Sequence, residues 1–444
     1  MAVTPDGAAD ISARPPATGL RHALRAFRHR DFAIFWSGAL VSNTGTWLSN
    51  LAVPYVLFEI TGSVFWLGLA SFAQLIPALV LGPLGGALAD RFDRRRILIV
   101  TQCCAATSAL LMWAAWSSGV RDPVVILALL GLTGVILGIN MPSWQSFVND
   151  LVPREDLMSA VTLNSVQFNA ARSLGPAIAG ALLAALGPSW AFLINGLSFV
   201  FVLSALLFVR ASRTRVVVAA RAGVLRQFGA ALRYVRTQPG IMVGFLVSGV
   251  VALLANPIFQ FTVVFADSVY HVDAVGLGLL NMAFGVGAIV AAPIVSGGNR
   301  HLTLARTVKW ALVLYAVAVA GFALLPYYAA GLVCLAVIGA CFLTVVSIAN
   351  TATQVIVADQ MRGRVLALRI MVFTGVTPVG GVLQGWLADV VGPRQTVTGA
   401  GLLLLAATLL LIRLRGRVRL ERLDDPHDEG PHGDPAQAVP ATGR

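Results

Sequence analysis

The chain has 444 residues, of which 57% are hydrophobic and 12% charged, about half the charged share of a soluble globular chain. With a mean hydropathy of +0.80, this excludes a soluble domain and global disorder, and it selects an all-α integral membrane protein. The formal charge of +12 does not mark a nucleic-acid binder: the basic residues are 31 arginines and Lys309, clustered between apolar runs rather than on one soluble face.

Residues 1–31 are polar and carry Arg14, Arg21, Arg25, Arg28 and Arg30. The apolar run that follows is too long for a signal-peptide core and ends in no small-residue cleavage site, so it is expected to stay in the membrane. The pattern predicts twelve spans, at about 32–58, 64–89, 97–118, 123–148, 158–186, 188–210, 240–266, 275–297, 304–325, 328–350, 364–388 and 393–414. Pro176 should bend the fifth. Residues 32–210 and 240–414 then form two six-helix bundles. The linker 211–239 holds Arg213, Arg215, Arg221, Arg226, Arg233 and Arg236 without an acid. Within it Leu225, Phe228, Ala231, Leu232 and Val235 have helical spacing, which reads as an amphipathic helix on an anionic membrane face. Residues 415–444 are a tail, acidic and rich in Pro and Gly from Glu421 onward, and read as disordered.

If the N-terminus is cytoplasmic, 28 of the 32 basic residues fall on the cytoplasmic side and only Arg121 and Arg394 outside. That positive-inside split puts both termini in the cytoplasm. The near absence of lysine fits a GC-rich bacterial genome and hence an inner (plasma) membrane. An internal repeat supports the two-bundle reading. Gly175, Gly180 and Gly187 recur 205 residues later as Gly380, Gly385 and Gly392, and Asn50 recurs as Asn256. Parallel repeats of this kind belong to transporters that rock two bundles about a central site.

Few residues can carry chemistry. Cys103, Cys104, Cys334 and Cys341 lie in apolar runs and read as buried small residues; all six histidines lie outside the runs, so no metal or other cofactor is expected. Lys309 follows Val308 and precedes Trp310, so no phosphate-cradling Gly-Lys-Ser/Thr loop exists. A membrane enzyme would need a mid-span acid pair or histidine, and a receptor or scaffold a large partner domain; neither is present. Arg172 lies roughly 21 Å into the fifth span at 1.5 Å per residue. A cation there costs about 2.5–3.5 kcal/mol, so it serves either a cavity or coupling role or a structural ion pair. No carboxylate sits mid-span. Glu59 is the remaining coupling candidate if partial burial raises its pKa; otherwise it is a solvated interfacial acid. Polar stripes mark a path: Asn43, Thr46, Trp47 and Asn50 in the first span, Asn140 and Trp144 in the fourth, Asn256 and Gln260 in the seventh, Ser347 and Asn350 in the tenth. Each amide could instead bond a neighbouring helix.

After the second span the chain reads Gly85-Gly86-Ala87-Leu88-Ala89-Asp90-Arg91-Phe92-Asp93-Arg94-Arg95-Arg96. From Gly86 through Asp90, Arg91, Arg94 and Arg95 this resembles the signature loop of the major facilitator superfamily, with Asp93 in place of its second glycine. The resemblance covers about 28–414. It implies that Asp90 meets the positive end of the eleventh helix near Arg364 and that Arg94 pairs with Asp150. These contacts would lock the outward-facing state and break on inward opening. Spans one, four, seven and ten would line the central path. Gly175-Pro176 and Gly180 resemble, loosely, an element of exporters in this superfamily, although small residues also serve helix packing. Residues 151–157 and 362–365 resemble loops of its drug, macrolide and siderophore exporters. The resemblance thus implies a monomeric secondary transporter that exports a mid-sized amphipathic or anionic small molecule by alternating access, with protons as the coupling ion. The alternative is import of a small organic solute.

Overall fold

A computed structural model describes residues 24–209, 224–296, 303–413 and 420–424. Among these residues twelve rods of membrane-spanning length alternate in direction: α1 (Arg30–Thr61), α2 (Val64–Arg91), α3 (Arg94–Ser117), α4 (Pro123–Asp150), α5 (Leu157–Leu186), α6 (Pro188–Phe208), α7 (Pro239–Ser268), α8 (Ala274–Ser296), α9 (Leu304–Leu324), α10 (Tyr328–Ile356), α11 (Asp359–Val391) and α12 (Pro393–Arg413). Ten are apolar enough to cross a membrane by length and composition; α1 and α5 fall short. Those two carry the densest rows of Ser, Thr, Asn and Gln, which is what a helix beside a polar path would require.

Local chemistry sets the helix ends. Gly62 ends α1 with a left-handed φ of 59°, a conformation that favours glycine. Asp93, the departure in the signature loop, caps α3 by accepting from the Arg95 and Arg96 N–H groups. Asp122 caps α4 ahead of Pro123. Pro257 lies within α7. It has no N–H and clashes one turn back, so the rod passes through a π-turn at Val251–Ala255 before resuming at Ile258. The Leu253 carbonyl released by that proline accepts from Gln384 Nε2 at 2.7 Å.

Helices α1–α6 and α7–α12 form two bundles joined chiefly by α2 against α11 and α5 against α8. The repeat is visible in these seams. A Cβ on Gly68 would lie 2.5 Å from the Gly381 carbonyl oxygen, and one on Gly278 would lie 2.5 Å from the Pro176 carbonyl oxygen. Gly180 abuts Gly278, Gly385 abuts Phe65, Ser173 abuts Gly285 and Leu79 abuts Gly375. All these approaches lie between the middle of the helices and the end where α2 begins, here the far side. The outer half of α7 (Ile258–Ser268) also meets α1 and α2. The close approaches between the bundles that glycine permits therefore lie toward the far side.

Several expectations need correction. α11 starts at Asp359, so Arg362 and Arg364 lie in its first turns. Part of the apolar stripe of the linker helix (Val224–Thr237) packs on the protein rather than facing a membrane surface, while Leu232 is exposed. Ala231 and Val235 are buried with Ile241, Val357, Val365 and Leu368, with Phe228 against them, and Tyr234 Oη accepts from the Ala358 N–H at 3.0 Å. An apolar stripe finds a protein groove as readily as a bilayer, and the sequence cannot distinguish them. Residues 421–424, expected as disordered tail, are placed. Leu420 and Leu423 are buried, and Asp424 caps α9 by accepting from the Leu304 N–H at 2.7 Å. Cys103 and Cys104 are exposed on the bundle surface rather than buried; Cys341 is buried. Leu225, Arg213, Arg215, Arg221, the Arg226 side chain, the first 23 residues and 425–444 lie outside the described residues and side chains.

Candidate functional site

Arg172 sits on the α5 face that meets the other bundle. Its guanidinium carbon is 5.2 Å from the Phe284 ring centroid, 5.3 Å from Phe342 and 5.7 Å from Phe259. The three rings come from α8, α10 and α7 and pack on one another, Phe259 edge-on to Phe284 at 4.2 Å. A cation of one bundle is thus held in an aromatic cage of the other. Ring quadrupoles attract a cation by about 0.5–1 kcal/mol each, more when desolvated, which offsets much of the cost of its depth. Glu59 is exposed at the far end of α1, so the partial burial on which its coupling role depended is not found.

The polar stripes divide. Asn140 Oδ1 accepts from Thr101 Oγ1 at 2.9 Å and Gln102 Nε2 at 3.3 Å, tying α4 to α3. Asn256 Nδ2 donates to Thr377 Oγ1 at 3.2 Å, and Asn350 Oδ1 accepts from Arg369 Nη2 at 2.9 Å. Each of these three amides bonds a neighbouring helix. Trp144 donates to Asn164 Oδ1 at 3.3 Å, and it stands to Asn164 as Asn350 stands to Arg369, about 205 residues apart. The repeat therefore keeps the contact and changes its chemistry. Asn43 Nδ2, both amide atoms of Gln167, and Gln260 Oε1 are buried with no protein partner. Gln260 lies against Gly381, and Trp47 packs on Gly175. Asn50 is exposed. The cage phenylalanines were not visible as such in the sequence, because single phenylalanines in apolar runs carry no signal; only their convergence on Arg172 does.

The signature loop lies on the terminal side. Arg94 Nη1 donates to both Asp150 oxygens at 2.8 Å, and Arg95 Nη2 donates to the Leu207 carbonyl at 2.7 Å, closing the end of α6. Arg94 is on α3 and Asp150 on α4, so the expected pair is present and ties two helices of one bundle together. Asp90 and Arg91 are exposed, as is Arg364, whose Nη1 lies 3.9 Å from Met361 Sδ. Gly86 meets no neighbour, whereas Gly85 is pressed against Gly138 of α4; the close approach belongs to the first glycine of the pair. Nearby, Asp156 accepts from His29 Nε2 at 2.8 Å and lies 3.4 Å from Arg25 Nε. The His29 hydrogen bond, then the Arg25 charge, hold its carboxyl below the usual range.

A helical, multi-pass membrane protein of two pseudo-repeated bundles that meet along glycine seams has the architecture of an alternating-access transporter. Solved structures with this fold include a bacterial homologue of the human lysosomal transporter Spinster in an inward-facing conformation, with TM-score 0.70 and 14% identity over 86% of this chain and 95% of that one. They also include a bacterial homologue of the iron transporter ferroportin in an inward-facing state, with TM-score 0.66 and 19% identity over 86% and 98%. Residues 21–435 match the transmembrane secretion effector family, and the chain belongs to that family of the major facilitator superfamily; it is a transporter and not an enzyme. Among curated relatives, the staphyloferrin A transporter of Staphylococcus aureus is 22% identical over 88% of this chain and 98% of its own length. The enterobactin exporter EntS of Citrobacter koseri is 26% identical over 90% and 96%. The multidrug efflux pump Tap of Mycolicibacterium fortuitum is 25% identical over 87% and 95%.

Proposed function

We propose that the chain is a secondary active exporter of mid-sized amphipathic or anionic organic compounds, of the siderophore or drug class, working as a monomer in the bacterial inner membrane. The observation that carries this reading is Arg172. It is a cation at the junction of the bundles, caged by Phe259, Phe284 and Phe342, and no carboxylate forms an ion pair with it among the described residues. The rings bring no hydrogen-bond acceptor of their own, so the guanidinium N–H donors can serve an anion, with aromatic surface for the rest of the molecule. The unpaired amides of Asn43, Gln167 and Gln260 supply further donors and acceptors along the same path. The siderophore and drug exporters among the relatives support the direction and the class.

The distribution of arginine supports the terminal side as the cytoplasm, which puts the close glycine seam on the external side. Gly86, Asp90, Arg91, Arg94, Arg95 and Asp150 form the cytoplasmic gating region, with the Arg94–Asp150 pair bracing one bundle. Gly175, Pro176 and Gly180 form the seam on which the bundles rock. The units are the bundles 32–210 and 240–414, linked by 211–239. Protons are the proposed coupling ion. Everted vesicles carrying the protein should accumulate an anionic amphipathic dye when an inward-acid gradient is imposed. Accumulation only in right-side-out vesicles would replace export by import.

A further inference from the structure

α2 begins without the help of its own N-cap. Ser63 occupies the cap position with extended φ and ψ of −120° and 130°, yet its side chain accepts nothing from its helix. The first N–H groups of a helix need an acceptor. Here it comes from the other bundle: Asp389, three residues from the end of α11, accepts from the Val64 N–H at 2.7 Å and the Phe65 N–H at 3.3 Å. The Ser63 hydroxyl donates to the same carboxylate. These bonds join the bundles at the far side, beside the Gly385–Phe65 and Gly68–Gly381 seam. The carboxylate also faces the positive end of the α2 dipole.

The geometry points to Asp389 as the far-side latch of the transporter: it holds the far side closed by capping the helix of the other bundle. When the far side opens, rigid-body motion takes Asp389 away from Val64 and Phe65. Ser63 is then free to turn its hydroxyl onto its own helix, as an N-cap serine ordinarily does. One set of cap bonds replaces the other, so neither state strands the α2 N–H groups and the two remain close in energy. The latch is a positioning device and touches no cargo. It rests on the export reading only in taking the bundles to rock.

The test is a distance. Spin labels at Ser118→Cys and Tyr327→Cys, both exposed positions on the far side, report the separation of the bundles in the full chain, with Cys103 and Cys104 replaced by serine. Asp389→Asn should raise the ratio of far-side-open to far-side-closed protein about 2- to 30-fold, the range of a lost helix cap, with thermal stability unchanged. Asp389→Glu should restore part of the closed population. Val64→Pro removes one donor where proline is tolerated, leaves Asp389 intact and should shift the ratio in the same direction by less. This second variant decides the matter if Asp389→Asn fails to accumulate. Parental distances in the folded variants overturn the latch, and parental flux in the same vesicles would show that the export reading stands without it.

Discussion

Arg172→Gln separates the structural role of the cation from its role toward cargo. Placing an arginine near the bilayer centre costs about 2.5–3.5 kcal/mol. Three rings at 5.2–5.7 Å, each contributing about 0.5–1 kcal/mol, offset some 1.5–3 kcal/mol. The two nearly cancel, so a neutral amide of similar reach should leave thermal unfolding in detergent within about 1 kcal/mol of the parent. Cargo binding behaves differently: a charge-assisted hydrogen bond to an anion contributes about 1.5–3 kcal/mol, so affinity for an anionic ligand should fall roughly 10- to 150-fold. Arg172→Lys keeps a cation in the cage but loses the planar fork, and should fall between. Thermal unfolding by intrinsic fluorescence and equilibrium binding of a fluorescent anion, on the same preparations, read the two effects. A large loss of stability with unchanged affinity would refute the reasoning and make Arg172 a structural residue.

Other outcomes follow from the same contacts. Gly180→Leu places a side chain against Gly278, where even a Cβ would lie 2.9 Å from its Cα; flux should be lost with normal membrane accumulation, and labelling should show the far side held apart. Arg94→Ala strands the partly buried Asp150 and should cost about 1–3 kcal/mol, whereas Arg94→Ala with Asp150→Ala should cost less than Arg94→Ala alone, read as shifts in thermal unfolding. Asp156, whose folded-state pKa is lowered by His29 and Arg25, contributes stability that is present above the unfolded carboxylate pKa and lost as pH falls through the folded one. Asp156→Asn should therefore speed tryptic cleavage at Arg25 and Arg28 at neutral pH, where the parent is protected, and should remove the acid dependence of that protection.

The helical membrane fold was legible in the sequence because runs of apolar residues are local pattern, and those runs correspond to α1–α12. The seams of α2 with α11 and α5 with α8 were not, because they depend on packing between distant helices. The interruption of α7 was not anticipated, although Pro257 frees the Leu253 carbonyl, and its partner Gln384 comes from another helix. What the sequence withheld was convergence in space. Asn140, Asn256 and Asn350 share one-dimensional spacing with Asn43 and Gln260, yet the first three bond neighbouring helices. Nothing local distinguishes them. The cage around Arg172 draws phenylalanines from three helices, and Asp389 reads as a solvated acid until α2 is brought beside it. Helix type and depth are encoded nearby in sequence, whereas the partners of polar groups are fixed by packing across the fold.

The central claim, a caged arginine that selects anionic cargo for export, is tested most directly by paired flux in everted vesicles: carboxyfluorescein against the cationic dye ethidium, for the parent and for Arg172→Gln. The account predicts that the parent accumulates the anion in preference and that the variant loses that preference while the protein still inserts and folds. Equal anion flux in parent and variant, or preference for the cation in the parent, would contradict it.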